Sequence, residues 1–174
     1  YTFTVTATNS AGSGVASAAS NSVTPQGSQT ITFANPGAQN FGTTPALSAT
    51  SSAGGGYPVT FTSATTGVCT ITSGGLLTLV TTGTCTINAD QAGDETYLAA
   101  PTVSQSFAVN AVVPAAPTIG SAVAGETQAT VSFTAPASDG GSAITGYTVT
   151  SAPGAVVATG VSSPIIVTGL VNGT

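Results

Sequence analysis

Hydrophobic and polar residues alternate along most of this chain. In the first run, Tyr1, Phe3, Val5 and Ala7 alternate with threonines, which predicts a strand with one face on a core. Weaker or shorter strand-like runs follow about every 8 to 12 residues, with Gly, Pro, Asn and Asp between them. They lie at 15–23, 29–33, 47–50, 57–61, 69–71, 77–79, 85–89, 103–109, 129–133, 147–150 and 165–167. No segment of useful length has a helical period, so we predict an all-β protein made of β-sandwiches.

Two linkers rich in Pro and small residues divide the chain. The first is Pro25-Gln26-Gly27 and the second spans 111–117, and both have the composition of a break between domains. Residues 26–112 then form one whole domain. A second domain of equal length consists of two pieces, 113–174 and 1–25.

The two pieces read as one domain when they are joined tail to head. Residues 170–174 supply an Asn-Gly turn signal, and the alternating strand of residues 1–9 would follow it directly. We therefore expect the chain to be one period of a tandem repeat. Residues 113–174 alone would expose sheet edges and an uncovered core, so we expect residues 1–25 to pack on the adjacent copy. The expected inter-copy junction consists of Tyr1, Phe3, Val5, Val131, Phe133, Tyr147, Val149 and Leu170.

The charge composition removes most classes of function. The chain contains no Lys, Arg or His, and its five acidic residues give a net charge of −5. Without cations it cannot neutralise phosphates, so nucleic acid and anionic membrane surfaces are not expected partners. It also lacks the usual general bases and the partners that activate Ser or Cys nucleophiles. Only chemistry with two carboxylates stays open, and we predict that the chain is not an enzyme and uses no cofactor.

Other features indicate where the protein works. No apolar stretch approaches the roughly 20 residues that cross a bilayer, so membrane insertion is not expected. Cys69 and Cys85 lie in two similar strands, GVCTIT and GTCTIN, with no His or third Cys to complete a metal site. This pattern favours a disulfide and hence an oxidising, extracellular location. Two reduced, buried cysteines are the alternative.

Three further groups of residues could bind something, although each has a simpler interpretation. Asp90, Asp94 and Glu95 could hold a calcium ion, but a solvated acidic turn is favoured. Asn172-Gly173-Thr174 matches a glycosylation acceptor, yet Asn-Gly is also a strong turn signal. The aromatic rings could stack on sugars, although neighbouring strand patterns favour burying them. These rings belong to Phe41, Tyr57 and Tyr97.

The divided domain resembles a bacterial, Thr-rich fibronectin type III module. The resemblance rests on Pro117, Gly125 with 129–136, the run from Asp139 to Val149, Gly169-Leu170 with 172–174, and 1–9 with Gly12. Phe133 stands where the family usually carries Trp, which implies a slightly smaller core. In the family, the residue matching Tyr1 forms a tyrosine corner whose hydroxyl bonds to the backbone just upstream. Here that upstream backbone would belong to the previous copy.

The whole domain resembles a bacterial immunoglobulin-like repeat. The similarity runs from 29–33 through 57–59 to Cys69, Cys85 and the strand around Phe107. Both families act as spacers and stalks in large secreted or surface proteins. The resemblance therefore implies a structural repeat unit of a long extracellular bacterial fibre, either a surface filament or an adhesin stalk. Its partners would be identical copies, head to tail and also side by side. A carbohydrate- or surface-binding module, or a spacer in a secreted hydrolase, is the alternative.

Overall fold

We obtained a computed structural model that describes residues 1–54 and 56–173. These residues form fifteen strands and contain no helix, which confirms the all-β prediction. Accordingly, the described part of the chain has no helix long and apolar enough to cross a membrane. The strands fall into three groups, which we call the N-terminal hairpin (1–25), the middle unit (26–112) and the C-terminal unit (113–174).

The middle unit contains eight strands. They are β3 (Ile31–Thr32), β4 (Gln39–Asn40), β5 (Thr50–Ser51), β6 (Thr60–Ser63), β7 (Cys69–Ile71), β8 (Leu77–Leu79), β9 (Gly83–Asp90) and β10 (Val103–Asn110), numbered after the two hairpin strands below. Four of these form one sheet in the order β4-β10-β9-β6, in which only the β4–β10 pair is parallel. The β3–β5 and β7–β8 pairs form further two-stranded sheets, and an isolated bridge between Ala46 and Leu76 lies between them.

The core of the middle unit lies between these sheets. Alternate residues of β9 are buried, and they meet buried residues from β3, β7 and β8 as well as from β6 and β10. Fully burying each large apolar side chain stabilises the fold by about 1.5–3 kcal/mol, so this cluster is the main source of stability. Its members are Ile31, Phe33, Leu47, Phe61, Cys69, Leu77, Leu79, Cys85, Ile87, Ala89, Phe107 and Val109.

The C-terminal unit has two small sheets and a much smaller core. Its strands are β11 (Thr118–Gly125), β12 (Gln128–Thr134), β13 (Tyr147–Thr150), β14 (Val157–Gly160) and β15 (Ile165–Thr168). One sheet has the order β11-β12-β15, and the other is the β13–β14 pair. Among its described residues the buried apolar side chains are Val131, Ile165 and Val167. Every residue of β11 is exposed.

The N-terminal hairpin is a separate two-stranded element. Its assigned strands are β1 (Thr8–Asn9) and β2 (Gly12–Ser13), around the turn at residues 10 and 11. Further hydrogen bonds join its two arms down to the pair Tyr1 and Val23. Every residue from 1 to 25 is exposed. The first arm therefore has the expected extended pairing but covers no core within its own chain.

Some local expectations need correction. The expected strand at 47–50 is displaced to β5, while Leu47 itself is bonded to Gly75. The arm at 15–23 is hydrogen-bonded but contains no regular strand. β4, β11 and β14 were not among the runs expected from the alternation pattern. β4 is a short polar segment, and its parallel partner, β10, is distant from it in the sequence.

Candidate assembly surfaces

The first arm of the hairpin presents an uncovered apolar face. Side chains two residues apart lie on the same side of a strand, so Tyr1, Phe3 and Val5 share one face. Their exposed fractions are 76%, 59% and 73%. Among the described residues, every hydrogen bond of residues 1–23 has its partner within the hairpin. This apolar face is therefore free to meet another surface.

Serine hydroxyls hold the two arms together. Ser20 donates its amide to the carbonyl oxygen of Phe3 (2.8 Å) and accepts the amide of Phe3 on its hydroxyl (3.0 Å). Ser17 does the same with Val5, at 2.9 and 3.1 Å. The partners advance by two residues on the first arm and by three on the second. This unequal step accounts for the irregular backbone of the second arm.

The outer edge of the first arm is also unpaired. The odd-numbered residues from Tyr1 to Ala7 bond to the second arm. Within the described chain, the backbone groups of Thr2, Thr4 and Thr6 make no hydrogen bond. An extended segment with free amides and carbonyls can add to the edge of another sheet. The hairpin thus combines an apolar face with an open edge.

The C-terminal unit carries a second uncovered apolar surface. The rings of Phe133 on β12 and Tyr147 on β13 lie 4.6 Å apart between centroids. Both side chains are only partly buried, and Val149 beside them is as well. A cavity of about 230 Å³ opens next to these rings; its lining includes Pro117, Ile119, Phe133, Tyr147 and Val149.

A larger open cavity lies elsewhere on the same unit. Its volume is about 440 Å³, and Ala129, Leu170 and Val171 belong to its lining. Leu170 is half-buried and donates its amide to the carbonyl oxygen of Thr127 (3.0 Å).

The Asn172-Gly173 pair follows directly. The side-chain oxygen of Asn172 accepts the amide of Thr127 (3.0 Å), and Gly173 has a positive φ of 80°. Of the glycosylation triplet, Thr174 lies outside the described residues.

The expected junction residues therefore form two separate groups. Val131, Phe133, Tyr147, Val149 and Leu170 lie on the C-terminal unit. The other three, on the hairpin, make no hydrogen bond to the described residues of that unit. Val131 is buried, whereas the other members of both groups are partly or largely exposed in a single chain.

The total exposed area agrees with this incomplete covering. The chain exposes 10664 Å². Two separate compact units, each of half this mass, would expose about 9,100 Å² together. The chain therefore exposes about 1,500 Å² more than two compact units of its mass would.

Cys69 on β7 and Cys85 on β9 form a disulfide, which confirms the interpretation favoured from the sequence. Their Cα atoms are 5.7 Å apart, and both residues are fully buried in the core of the middle unit. The bond connects the β7–β8 pair to the four-stranded sheet. In the chain-entropy model, a loop of this length gives about 3 kcal/mol of stability.

The acidic loop is organised by its own backbone. The Oδ1 atom of Asp94 accepts the amides of Thr96 (2.7 Å) and Tyr97 (2.8 Å). Both bonds lower the pKa of Asp94, and the bond from Tyr97 has the larger effect. Asp90 accepts the hydroxyl of Thr102 instead. Among the described residues, no three His, Cys, Asp or Glu side chains form a group that could hold a metal ion.

The aromatic side chains considered for sugar stacking contact other parts of the protein. Tyr57 and Tyr97 pack edge to face, with ring centroids 5.2 Å apart, and both are half-buried. Partial burial, followed by a hydrogen bond to Asp94, raises the pKa of Tyr57. Phe41 packs against the core of the middle unit, and its ring lies under Gly141.

The sequence pattern did not reveal a buried polar group. Gln29 and Gln91 are both buried, and the side-chain amide of Gln29 donates to the side-chain oxygen of Gln91. The same amide donates to the carbonyl oxygen of Leu98 (2.8 Å), and Ser51 donates to the Gln29 oxygen (2.7 Å). Glutamines are common on surfaces, so composition gives no signal for this arrangement.

Comparisons with protein-family models, curated proteins and solved structures found no match to this chain.

Proposed function

We propose that this chain is the structural repeat unit of a long extracellular bacterial fibre, either a surface filament or an adhesin stalk. In this fibre, residues 1–25 of one copy complete the C-terminal unit of the adjacent copy. The completed unit would be a fibronectin type III-like sandwich, alternating with the immunoglobulin-like sandwich of the middle unit. The chain would act as a building block and not as an enzyme.

One observation carries this proposal. The chain has two apolar surfaces that are not fully covered, one around Phe3 on the hairpin and one around Phe133 and Tyr147 on the C-terminal unit. Because burial of apolar area is the main driving force of association, these surfaces favour each other. An isolated two-stranded hairpin is marginally stable in water, so docking would also stabilise residues 1–25.

Further support comes from charge and covalent chemistry. The chain carries only five charged side chains, all acidic, so few charges would lose their hydration where two copies meet. The disulfide is compatible with an oxidising location outside the cell. These features favour cohesion between copies over recognition of a charged partner.

The first test asks whether separate copies associate. Sedimentation and electron microscopy of the full chain should show head-to-tail polymers as concentration rises. Phe3→Ser should abolish them, because it removes the largest apolar side chain in the middle of the hairpin face. Thr4→Ser on the opposite face is the matched control and should assemble normally.

The second test covers the case in which copies are joined covalently. In a chain of two copies in tandem, hydrogen exchange of residues 1–9 in the second copy should slow strongly relative to the first copy. A monomeric single chain, combined with equal exchange of both hairpins in the tandem chain, would contradict the proposal.

A further inference from the structure

The linker between the middle and C-terminal units is bonded to a turn of the C-terminal unit. Val112 donates its amide to the carbonyl oxygen of Gly140 (2.9 Å), and Ala115 donates to that of Ser138 (3.1 Å). Gly140 is buried by these contacts. The linker is therefore not a free tether.

The opposite side of the same turn rests on the middle unit. Thr82 donates its hydroxyl to the carbonyl oxygen of Gly141 (3.0 Å), and Gly141 lies against the ring of Phe41. Phe41 belongs firmly to the middle unit, because its amide donates to Asn110 (2.9 Å) and its side chain packs on the core. The turn thus contacts the linker on one side and the middle unit on the other.

The close fit requires glycine at both positions. Gly140 and Gly141 have φ values of 76° and 84°, which side chains rarely adopt. A Cβ at Gly140 would overlap the carbonyl oxygen of Val112, and one at Gly141 would lie 2.7 Å from Cγ of Phe41. The Oδ1 atom of Asp139 accepts the amide of Gly141 (2.8 Å), so the turn is also braced internally.

From these contacts we infer that residues 138–141 form a rigid joint that fixes the angle between the middle and C-terminal units. The joint combines two backbone bonds to the linker, one side-chain bond from Thr82 and the packing of Phe41. Pro114 adds stiffness, because its ring restricts the backbone of the linker. The joint lies within one chain, so it does not depend on assembly into a fibre.

The test measures the distance between the two units. Cysteines introduced at the exposed residues Thr78 on β8 and Thr159 on β14 accept spin labels while the native disulfide stays closed. Dilution with unlabelled chain restricts the electron-electron distance to pairs within one molecule. The native chain should give a single narrow distance peak, and Gly141→Ala should shift and broaden it.

Gly169→Ala is the matched control, because Gly169 also has a positive φ (80°) in the same unit but has open space around its Cβ position. Its peak should match that of the native chain. Thr82→Val is a second variant, in case Gly141→Ala fails to fold. It keeps the side-chain volume and removes only the hydroxyl that bonds to Gly141, and it should also broaden the distance peak. The inference of a rigid joint would be wrong if the native chain gave a broad distance distribution. It would also be wrong if Gly141→Ala and Thr82→Val folded and gave the same peak as Gly169→Ala.

Discussion

Ser20 bonds to both backbone polar groups of Phe3, since its amide donates to the carbonyl oxygen and its hydroxyl accepts the amide. Ser17 repeats this arrangement with Val5. The hydroxyls of Ser17 and Ser20 thus take the place of backbone carbonyls at two positions of the second arm, whereas at Val23 the carbonyl itself accepts. The arrangement keeps the first arm paired with the second while its apolar face is exposed.

The first prediction concerns these serines. The double change Ser17→Ala and Ser20→Ala should speed amide exchange of Phe3 and Val5 by about two- to tenfold in dilute chain, since each lost bond costs roughly 0.5–1.5 kcal/mol. Exchange followed by NMR measures this directly. Ser22→Ala is the control, because the hydroxyl of Ser22 makes no hydrogen bond within the described residues. Equal exchange in the double variant and the control would show that the hydroxyls do not hold the arms.

The second prediction concerns the disulfide. Replacing Cys69 and Cys85 together by alanine should lower the free energy of unfolding of the middle unit by about 3 kcal/mol. Urea denaturation followed by circular dichroism measures the loss. The alanine variant loses the packing of two sulfur atoms as well as the bond. Reduction of the unaltered chain is therefore the control, because it breaks the disulfide but keeps both sulfur atoms in place. An unfolding midpoint that moves in neither experiment would mean that the bond contributes little stability.

Strand pattern and core were predictable from the sequence where alternation was strong. The buried residues Cys85, Ile87 and Ala89 of β9, and Leu77 and Leu79 of β8, follow the period of two that the sequence shows. Each lies on a strand whose other face is polar, so local pattern alone assigns the inward side. The cysteine pair was identified in the same way, by two matching strands and the absence of other metal ligands.

Features that depend on contacts between distant residues could not be predicted. β4 forms because Gln39 and Asn40 pair with Val109 and Asn110, and nothing in its short polar sequence indicates a strand. The run that begins at Asp139 was noted in the sequence, but the contact of Gly141 with Phe41 depends on how two units pack. Both groups of expected junction residues were named from the sequence. Among the described residues the hairpin makes no hydrogen bond to the C-terminal unit, so contact between the two groups stays a prediction.

The third prediction concerns the buried amides. Gln29→Leu should destabilise the middle unit by about 2 kcal/mol, because Gln91, Leu98 and Ser51 each lose a partner in the interior. The double change Gln29→Leu and Gln91→Leu should cost less than the sum of the single changes, by at least about 0.5 kcal/mol. Urea denaturation of all three variants gives the coupling. Gln128→Leu, the same change at an exposed residue, is the control. Strict additivity would contradict a shared hydrogen-bond network.

The fourth prediction concerns pH. The pKa of Asp94 in the folded chain lies below its ordinary value of 3.8, mainly because the amides of Tyr97 and Thr96 bond to the carboxylate. The charged form therefore stabilises the fold at pH values above 3.8, and this contribution is lost as the pH falls through the lowered value. Asp94→Asn keeps an oxygen acceptor for both amides but removes the charge.

The melting temperature of the native chain should thus exceed that of Asp94→Asn at pH 6, and the difference should shrink as the pH approaches 2. Thermal melts across this range provide the measurement. Glu95→Gln is the matched control, because it removes one negative charge from the neighbouring residue without touching these bonds. The native chain carries a net charge of −5 with no Lys, Arg or His, so a general relief of repulsion would appear in both variants alike. If the melting-temperature difference between the native chain and Asp94→Asn, but not Glu95→Gln, grew as the pH fell, the prediction would be wrong. Hydrogen bonds from backbone amides stabilise the charged carboxylate, so their contribution has to fall on acidification.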